Sequence, residues 1–193
     1  MSMRARNKKP SEMSLTELWE LFPVILAEHR TEWSAWFAEE KSALMPLLPD
    51  GAQVQHIGST AIGGIKAKPI IDILVELPHG VELRATAERL REAGYIIMNA
   101  SDARVSLNKG YTERGYAERV FHVHMQYGAA RPSDEVLFRD YLITHPTVAA
   151  EYERLKVALR EKYEHDRDGY TAAKSEFVKG CVVVAKTELG QRE

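Results

Sequence analysis

The sequence predicts an α+β fold: a mixed sheet core flanked by an N-terminal helix and by C-terminal helices. Three observations carry that expectation. Ile70 to Leu77 is a near-continuous run of apolar and β-branched residues, the pattern of a central strand buried on both faces. Shorter strand-like runs recur over residues 53–57 and 95–127, and from Asp134 onward apolar residues recur at helical spacing instead. A chain of 193 residues, 45% hydrophobic and 28% charged, suits one sizeable core with a helical appendage.

Taken in order, residues 1–12 carry Arg4, Arg6, Lys8 and Lys9 without a following apolar segment, and read as a disordered leader rather than a signal peptide. Ser14 with Glu17 three residues on is a capping box for a short helix to Leu21. Trp33, Trp36, Phe37, Leu44 and Leu47 recur at helical spacing and predict a helix over Thr31–Leu48, with Glu39, Glu40 and Lys41 on its outer face and Pro46 closing or distorting its last turn. A strand follows over Gln53–Ile57, then a Gly-rich connection to Lys68, then the central strand, stopped by Pro78-His79-Gly80. Leu83, Ala87 and Leu90 share a face of a helix over Val81–Ala93, with Gly94 as its C-cap. Further strands are expected over Tyr95–Met98, Arg104–Asn108 and Phe121–Tyr127, with Lys109–Gly115 as the hairpin or loop between the last two. Helices are expected over Glu135–Thr144, Pro146–Tyr163 and Tyr170–Leu189. The composition shift near Asp134 divides a core over 13–133 from a C-terminal helical region over 134–193 packed on it.

A net charge of −2 argues against non-specific nucleic-acid binding. No apolar run approaches the ~18 residues of a membrane span. The single cysteine, Cys181, precludes an intrachain disulfide, reads as a buried thiol, and suits a reducing cytoplasm.

The residues that point to chemistry are few. Gly58-Ser59 is a turn whose backbone N–H groups and hydroxyl can meet a phosphate. Thirteen residues after Ser59, Asp72 interrupts the most apolar strand. An unpaired buried carboxylate costs several kcal/mol, so Asp72 needs a cation, a basic partner or a capping role. Mg2+ or Mn2+ shared with substrate phosphates is the functional reading. His122 and His124 are i and i+2 on an expected strand and share a face. Either they complete a Zn2+, Mn2+ or Fe2+ site with Asp72, or they bond phosphate or Asp72 directly. His56 reads as a packed strand residue, Lys68 as solvated or phosphate-facing, and the Arg139-Asp140 and Arg167-Asp168 pairs as ion pairs on or between helices.

Six blocks carry a family resemblance: His56-Ile57-Gly58-Ser59-Thr60, Lys68-Pro69-Ile70-Ile71-Asp72, Phe121-His122-Val123-His124, Phe138-Arg139-Asp140-Tyr141-Leu142, His145-Pro146, and Asp166 to Lys174. In these the sequence resembles the GrpB-like family (UPF0157), a branch of the nucleotidyltransferase-fold superfamily, over roughly residues 20–185. The resemblance implies a nucleotidyltransferase-like core. It places Gly58, Ser59 and Thr60 at nucleotide phosphates and Asp72 at a metal. A C-terminal helix would close over the nucleotide, with Tyr170 stacking on the base and Lys174 holding a phosphate. The implied activity is metal-dependent transfer of a nucleotidyl group from a nucleoside triphosphate to an acceptor, with Asp72, His122 and His124 as catalytic and metal-binding residues. The alternative is nucleotide or phospho-ligand binding without turnover. The chain departs from the superfamily pattern at Leu74, where a second acid belongs. Glu76 lies ~13 Å along the strand from Asp72, so one strand cannot bring both onto one ion, and catalysis requires that His122, His124 or Glu76 replace what is missing.

Overall fold

The computed structural model describes residues 12–190; apart from Glu12, the expected leader lies outside the described residues. The elements are α1 (Leu15–Leu21), α2 (Glu32–Leu44), β1 (Gln53–Ile57), β2 (Ile71–Leu77), α3 (Leu83–Glu92), β3 (Ile96–Ala100), β4 (Arg104–Thr112), β5 (Gly115–Tyr127), α4 (Asp134–Thr144), α5 (Pro146–Lys162) and α6 (Arg167–Gly190). The strands form one mixed sheet in the order β1-β2-β5-β4-β3. β2 and β5 run parallel, and every other neighbouring pair is antiparallel. This is the expected α+β arrangement. No helix among the described residues is long and apolar enough to cross a membrane.

The two faces of the sheet have different fates. Ile71, Ile73, Val75 and Leu77 of β2 join Val105, Leu107, Phe121, Val123 and Met125 in a core closed by Trp33 and Leu44 of α2 and Leu83, Ala87 and Leu90 of α3. The other face carries the polar residues of β2 and β5. The C-terminal helices meet it off-centre: Phe138, Leu142, Ala149, Tyr152, Cys181 and Val182 pack on Ile62 and Ile65 of the β1–β2 connection. That second core anchors α4–α6 beside the sheet and leaves the ground above Asp72 as a cleft.

Four local outcomes sharpen the sequence reading. Ser14 caps α1 with the predicted capping box. The helix predicted to Leu48 ends at Leu44, and Pro46 sits in a separate 3-10 turn over Met45–Leu47. Glu40 is not on the outer face: it is buried, hydrogen-bonded to the Tyr95 hydroxyl and paired with Lys109 Nζ at 2.7 Å. Lys109–Gly115, expected as a hairpin or loop, is the far end of a long hairpin. Gly110, at φ +91°, lies against the Arg119 carbonyl where a side chain would not fit, and its bulge lets pairing resume at Tyr111–Tyr116.

Candidate functional site

β1 delivers the chain to Gly58, whose φ of +71° and ψ of −174° lie in a region open essentially to glycine. A Cβ there would overlap the Asp72 carboxylate. The missing side chain is what lets the turn lie directly on the acid. Ser59 follows and lines the cleft together with Tyr152 of α5. Thr60 is buried, donates to the Ile70 carbonyl at 3.2 Å and meets His56 Nε2 at 3.0 Å. Its hydroxyl therefore braces the turn against the start of β2, and the phosphate contact expected of it is not open to it. His56 stacks on Phe37 at 4.8 Å between ring centres, and burial lowers its pKa to about 4, so it is a neutral packed residue. Arg139 pairs with Asp140 at 2.7 Å as expected and also donates to the His56 carbonyl at 2.8 Å.

The parallel register of β2 and β5 sets Asp72 beside His122 and Leu74 beside His124. Asp72 Oδ1 lies 3.3 Å from His122 Nδ1 and 4.0 Å from His124 Nε2. One ligand atom from each of the three residues falls within 4.8 Å of the others. Burial alone would raise the Asp72 pKa; the hydrogen bond from His122 and the charges of His122, His124 and Lys68 outweigh it and hold the carboxyl at about 2. Burial lowers the pKa of His124, against the pull of Asp72. Each ring turns its second nitrogen to a hydroxyl: His122 Nε2 meets Tyr111 Oη at 2.8 Å, and His124 Nδ1 meets Ser106 Oγ at 3.4 Å. Tyr111 Oη in turn accepts from Arg167 Nη2 at 2.8 Å.

Leu74 explains why the second acid is missing. It is fully buried against Ile57 and against Val136 of α4. Leu74→Asp is therefore expected to cost several kcal/mol in chemical denaturation rather than to complete an acidic pair, because the new carboxylate would replace an apolar contact. Glu76 accepts a hydrogen bond from Gln55 Nε2 at 3.1 Å and does not line the cleft, so it supplies no substitute.

The cleft encloses about 1480 Å3. One wall is basic. Lys68, Lys156 and Lys174 line it, with Arg167 beyond them. Burial depresses all three amines. Lys68 falls to about 8 with help from Arg167. Lys156 also falls to about 8. Lys174 falls to about 7 with help from Lys68 and Lys156. Asp72 draws the charge of both Lys68 and Lys174 from a distance, and among the described residues no carboxylate forms an ion pair with either amine. Tyr170 is fully buried. Lys174 Nζ lies 4.4 Å and Lys68 Nζ 5.5 Å from its ring centre, so the ring is a floor beneath two amines, not an open stacking face for a base. Apolar residues also line the cleft, among them Leu15, Leu18 and Trp19 of α1 and Ile96 and Met98 of β3.

Gly58, Ser59, Thr60, Lys68, Asp72, His122, His124, Tyr170 and Lys174, the residues the sequence points to, all line this cleft. Lys156, Arg167 and Tyr111 join them, and Ser106 supports His124, without having been singled out for the site. Lys156 did leave a signal: it stands four residues after Tyr152, on the apolar stripe of α5. Arg167 was read as half of an ion pair with Asp168; it is the first residue of α6 and turns to Tyr111. That helix starts three residues before the predicted Tyr170, because Asp166 caps it through the Gly169 N–H at 2.8 Å.

Comparison with known proteins agrees with the resemblance. The family model described as GrpB protein matches residues 23–183. The glutamate-rich protein GrpB of Alkalihalophilus pseudofirmus is 39% identical over 162 residues, covering 80% of this chain and 91% of that protein. The UPF0157 protein YqkA of Bacillus subtilis is 32% identical over 189 residues; the match takes in 95% of this chain and 54% of that protein. Among solved structures, the crystal structure of conserved protein GrpB from Enterococcus faecalis superimposes with a TM-score of 0.74 at 29% identity, covering 86% of this chain and 99% of that one.

Proposed function

The chain belongs to the GrpB family, and from that premise we propose that its cleft binds a nucleoside triphosphate and transfers a nucleotidyl group to an acceptor. The observation that carries this reading is that three lysines, Lys156 buried and bonded to the Lys66 carbonyl, Lys68 and Lys174 half-buried, line one cleft with Gly58, Ser59 and Asp72. Amines depressed by burial and mutual repulsion are stabilised when a polyanion enters, so the wall favours phosphate groups over neutral ligands. Lys68 and Lys174 hold the phosphate chain from one side, and the Gly58–Ser59 backbone approaches it from the other. Asp72 and the two histidines stand at the edge of that phosphate site, where an acceptor oxygen must arrive for in-line displacement.

The residues present do not fit the paired acids that hold two Mg2+ ions in the superfamily pattern, because Leu74 fills the second place with apolar packing. The same observation favours a second reading, a phospho-ligand binding protein without turnover. Isotope-labelled nucleoside triphosphates offered with candidate acceptors decide between them. Labelled product from the wild-type chain, with Asp72→Asn slower on the order of 10²–10³-fold, is the expected result. Tight binding with no product selects the second reading. Transfer undiminished in Asp72→Asn removes the role assigned to that residue, and no nucleotide binding at all removes both readings.

A further inference from the structure

The donors gathered beside Gly58 are one carboxylate and two imidazoles, and we propose that Asp72, His122 and His124 form a single site for a divalent transition ion such as Zn2+, Mn2+ or Fe2+, in preference to Mg2+. The sheet register builds it. A second ligand on β2 would stand at position 74; the parallel pairing sets His124 in the adjacent place on β5, so the neighbouring strand supplies what β2 lacks. Mg2+ takes near-octahedral oxygen ligands, whereas imidazole nitrogen suits Zn2+, Mn2+ and Fe2+. Ligands about 2.1 Å from a tetrahedral ion lie about 3.4 Å apart. The 3.3 Å separation from Asp72 Oδ1 already meets that, the 4.0 Å one must close by about 0.6 Å, and the two imidazole nitrogens, within 4.8 Å of each other, must draw together with them.

Ring orientation is an independent observation. A ligating histidine commonly fixes its ring by bonding the second nitrogen to an oxygen. Both rings do so here, and with opposite nitrogens: His122 turns Nδ1 inward and Nε2 to Tyr111, while His124 turns Nε2 inward and Nδ1 to Ser106. Ser106 is the β4 residue paired with His124, and Tyr111 is held by Arg167 of α6, so the sheet supports one ligand and a helix braces the other. Three protein ligands facing a cleft leave coordination positions open to a phosphate oxygen or water, as catalytic rather than structural sites do.

This deepens the reading above for the same cleft, and the test omits nucleotide so that each can fail alone. Full-length protein without an affinity tag, stripped by chelator, is titrated calorimetrically with Zn2+, Mn2+ or Mg2+. The expected result is one Zn2+ or Mn2+ per chain, about 100-fold or more tighter than Mg2+. His122→Ala and His124→Ala should abolish it. Tyr111→Phe and Ser106→Ala, which leave all three ligands in place, should weaken it by about 10–100-fold. Should the histidine variants fail to fold, the Tyr111 and Ser106 variants and the visible spectrum of the Co2+-loaded wild type carry the test. Mg2+ bound as tightly as Zn2+ and Mn2+, transition-ion binding unchanged in the histidine variants, or no ion bound would each overturn the inference. Triphosphate binding in chelator, persisting when no ion binds, would confine the failure to the metal site. Transfer that falls in His124→Ala while metal affinity stays at the wild-type value would make His124 a general base instead.

Discussion

Gly58→Ala should unfold at markedly lower denaturant and lose triphosphate binding together. Two costs fall on the same atom. The backbone at Gly58 sits at φ +71° and ψ −174°, where a side chain costs about 1–3 kcal/mol. The added methyl also points into the Asp72 carboxylate, and overpacking of that kind costs about 1–3 kcal/mol more. The sum, about 2–6 kcal/mol, is a large share of the stability of an ordinary domain. Two other glycines separate the terms. Gly64 has φ +78° and open space around its Cβ position, so Gly64→Ala should show the backbone cost alone. Gly63 has neither constraint, and Gly63→Ala should be near neutral. Urea denaturation orders the three variants. A Gly58→Ala protein no less stable than Gly64→Ala would mean that Asp72 yields freely, and the close seating of the turn on the acid would lose its significance.

That seating was legible in the sequence because it is local. Gly58, Ser59 and Asp72 lie within one turn and one strand, and the apolar run around Asp72 marks it as a carboxylate in need of a partner. The shared face of His122 and His124 follows from strand periodicity alone. What could not be read was the pairing of β2 with β5, strands 37 residues apart in the chain, counted from Leu77 to Gly115, with α3, β3 and β4 between them. Only that register tells that His124, not Glu76, stands beside Leu74. The supporting residues were hidden for the same reason. Tyr111 lay in a segment expected only as a hairpin or loop, and its pairing with Tyr116 depends on a bulge at Gly110, whose φ of +91° carries the hairpin onward. Arg167 stood beside Asp168, and adjacency in sequence suggested an ion pair, as forms at Arg139-Asp140, but its guanidinium reaches across to the Tyr111 hydroxyl. Thr60 and Tyr170 show the opposite failure. Residues in family blocks invite ligand roles, but one hydroxyl is engaged by Ile70 and His56 and one ring is sealed beneath two lysines.

Those lysines give the sharpest pH test of the cleft. Lys68, Lys156 and Lys174 hold folded-state values of about 8, 8 and 7, below their ordinary 10.5. Between those values and 10.5 the unfolded chain binds more protons than the folded one, so stability rises as pH rises through that window. Each amine can contribute up to about 1.4 kcal/mol per pH unit there. Triphosphate binding has the opposite sign. A bound polyanion favours the charged amines, binding takes up protons, and affinity should fall between pH 7.5 and 9.5, above the terminal phosphate's own titration. Lys174→Met tests both at once. It removes a buried charge with no close carboxylate partner, so at pH 7 the free protein should become more stable, with a flatter rise of stability with pH. It also removes a charge-assisted contact to phosphate, so triphosphate affinity should fall by about 10–100-fold. Adding Lys68→Met should deepen the binding loss and flatten the pH dependence further. Stability gained as binding is lost is the mark of a site kept under strain for its ligand. A Lys174→Met chain that is destabilised and binds triphosphate as before would place the amine in the architecture of α6 instead, and would take the phosphate wall out of the proposed function.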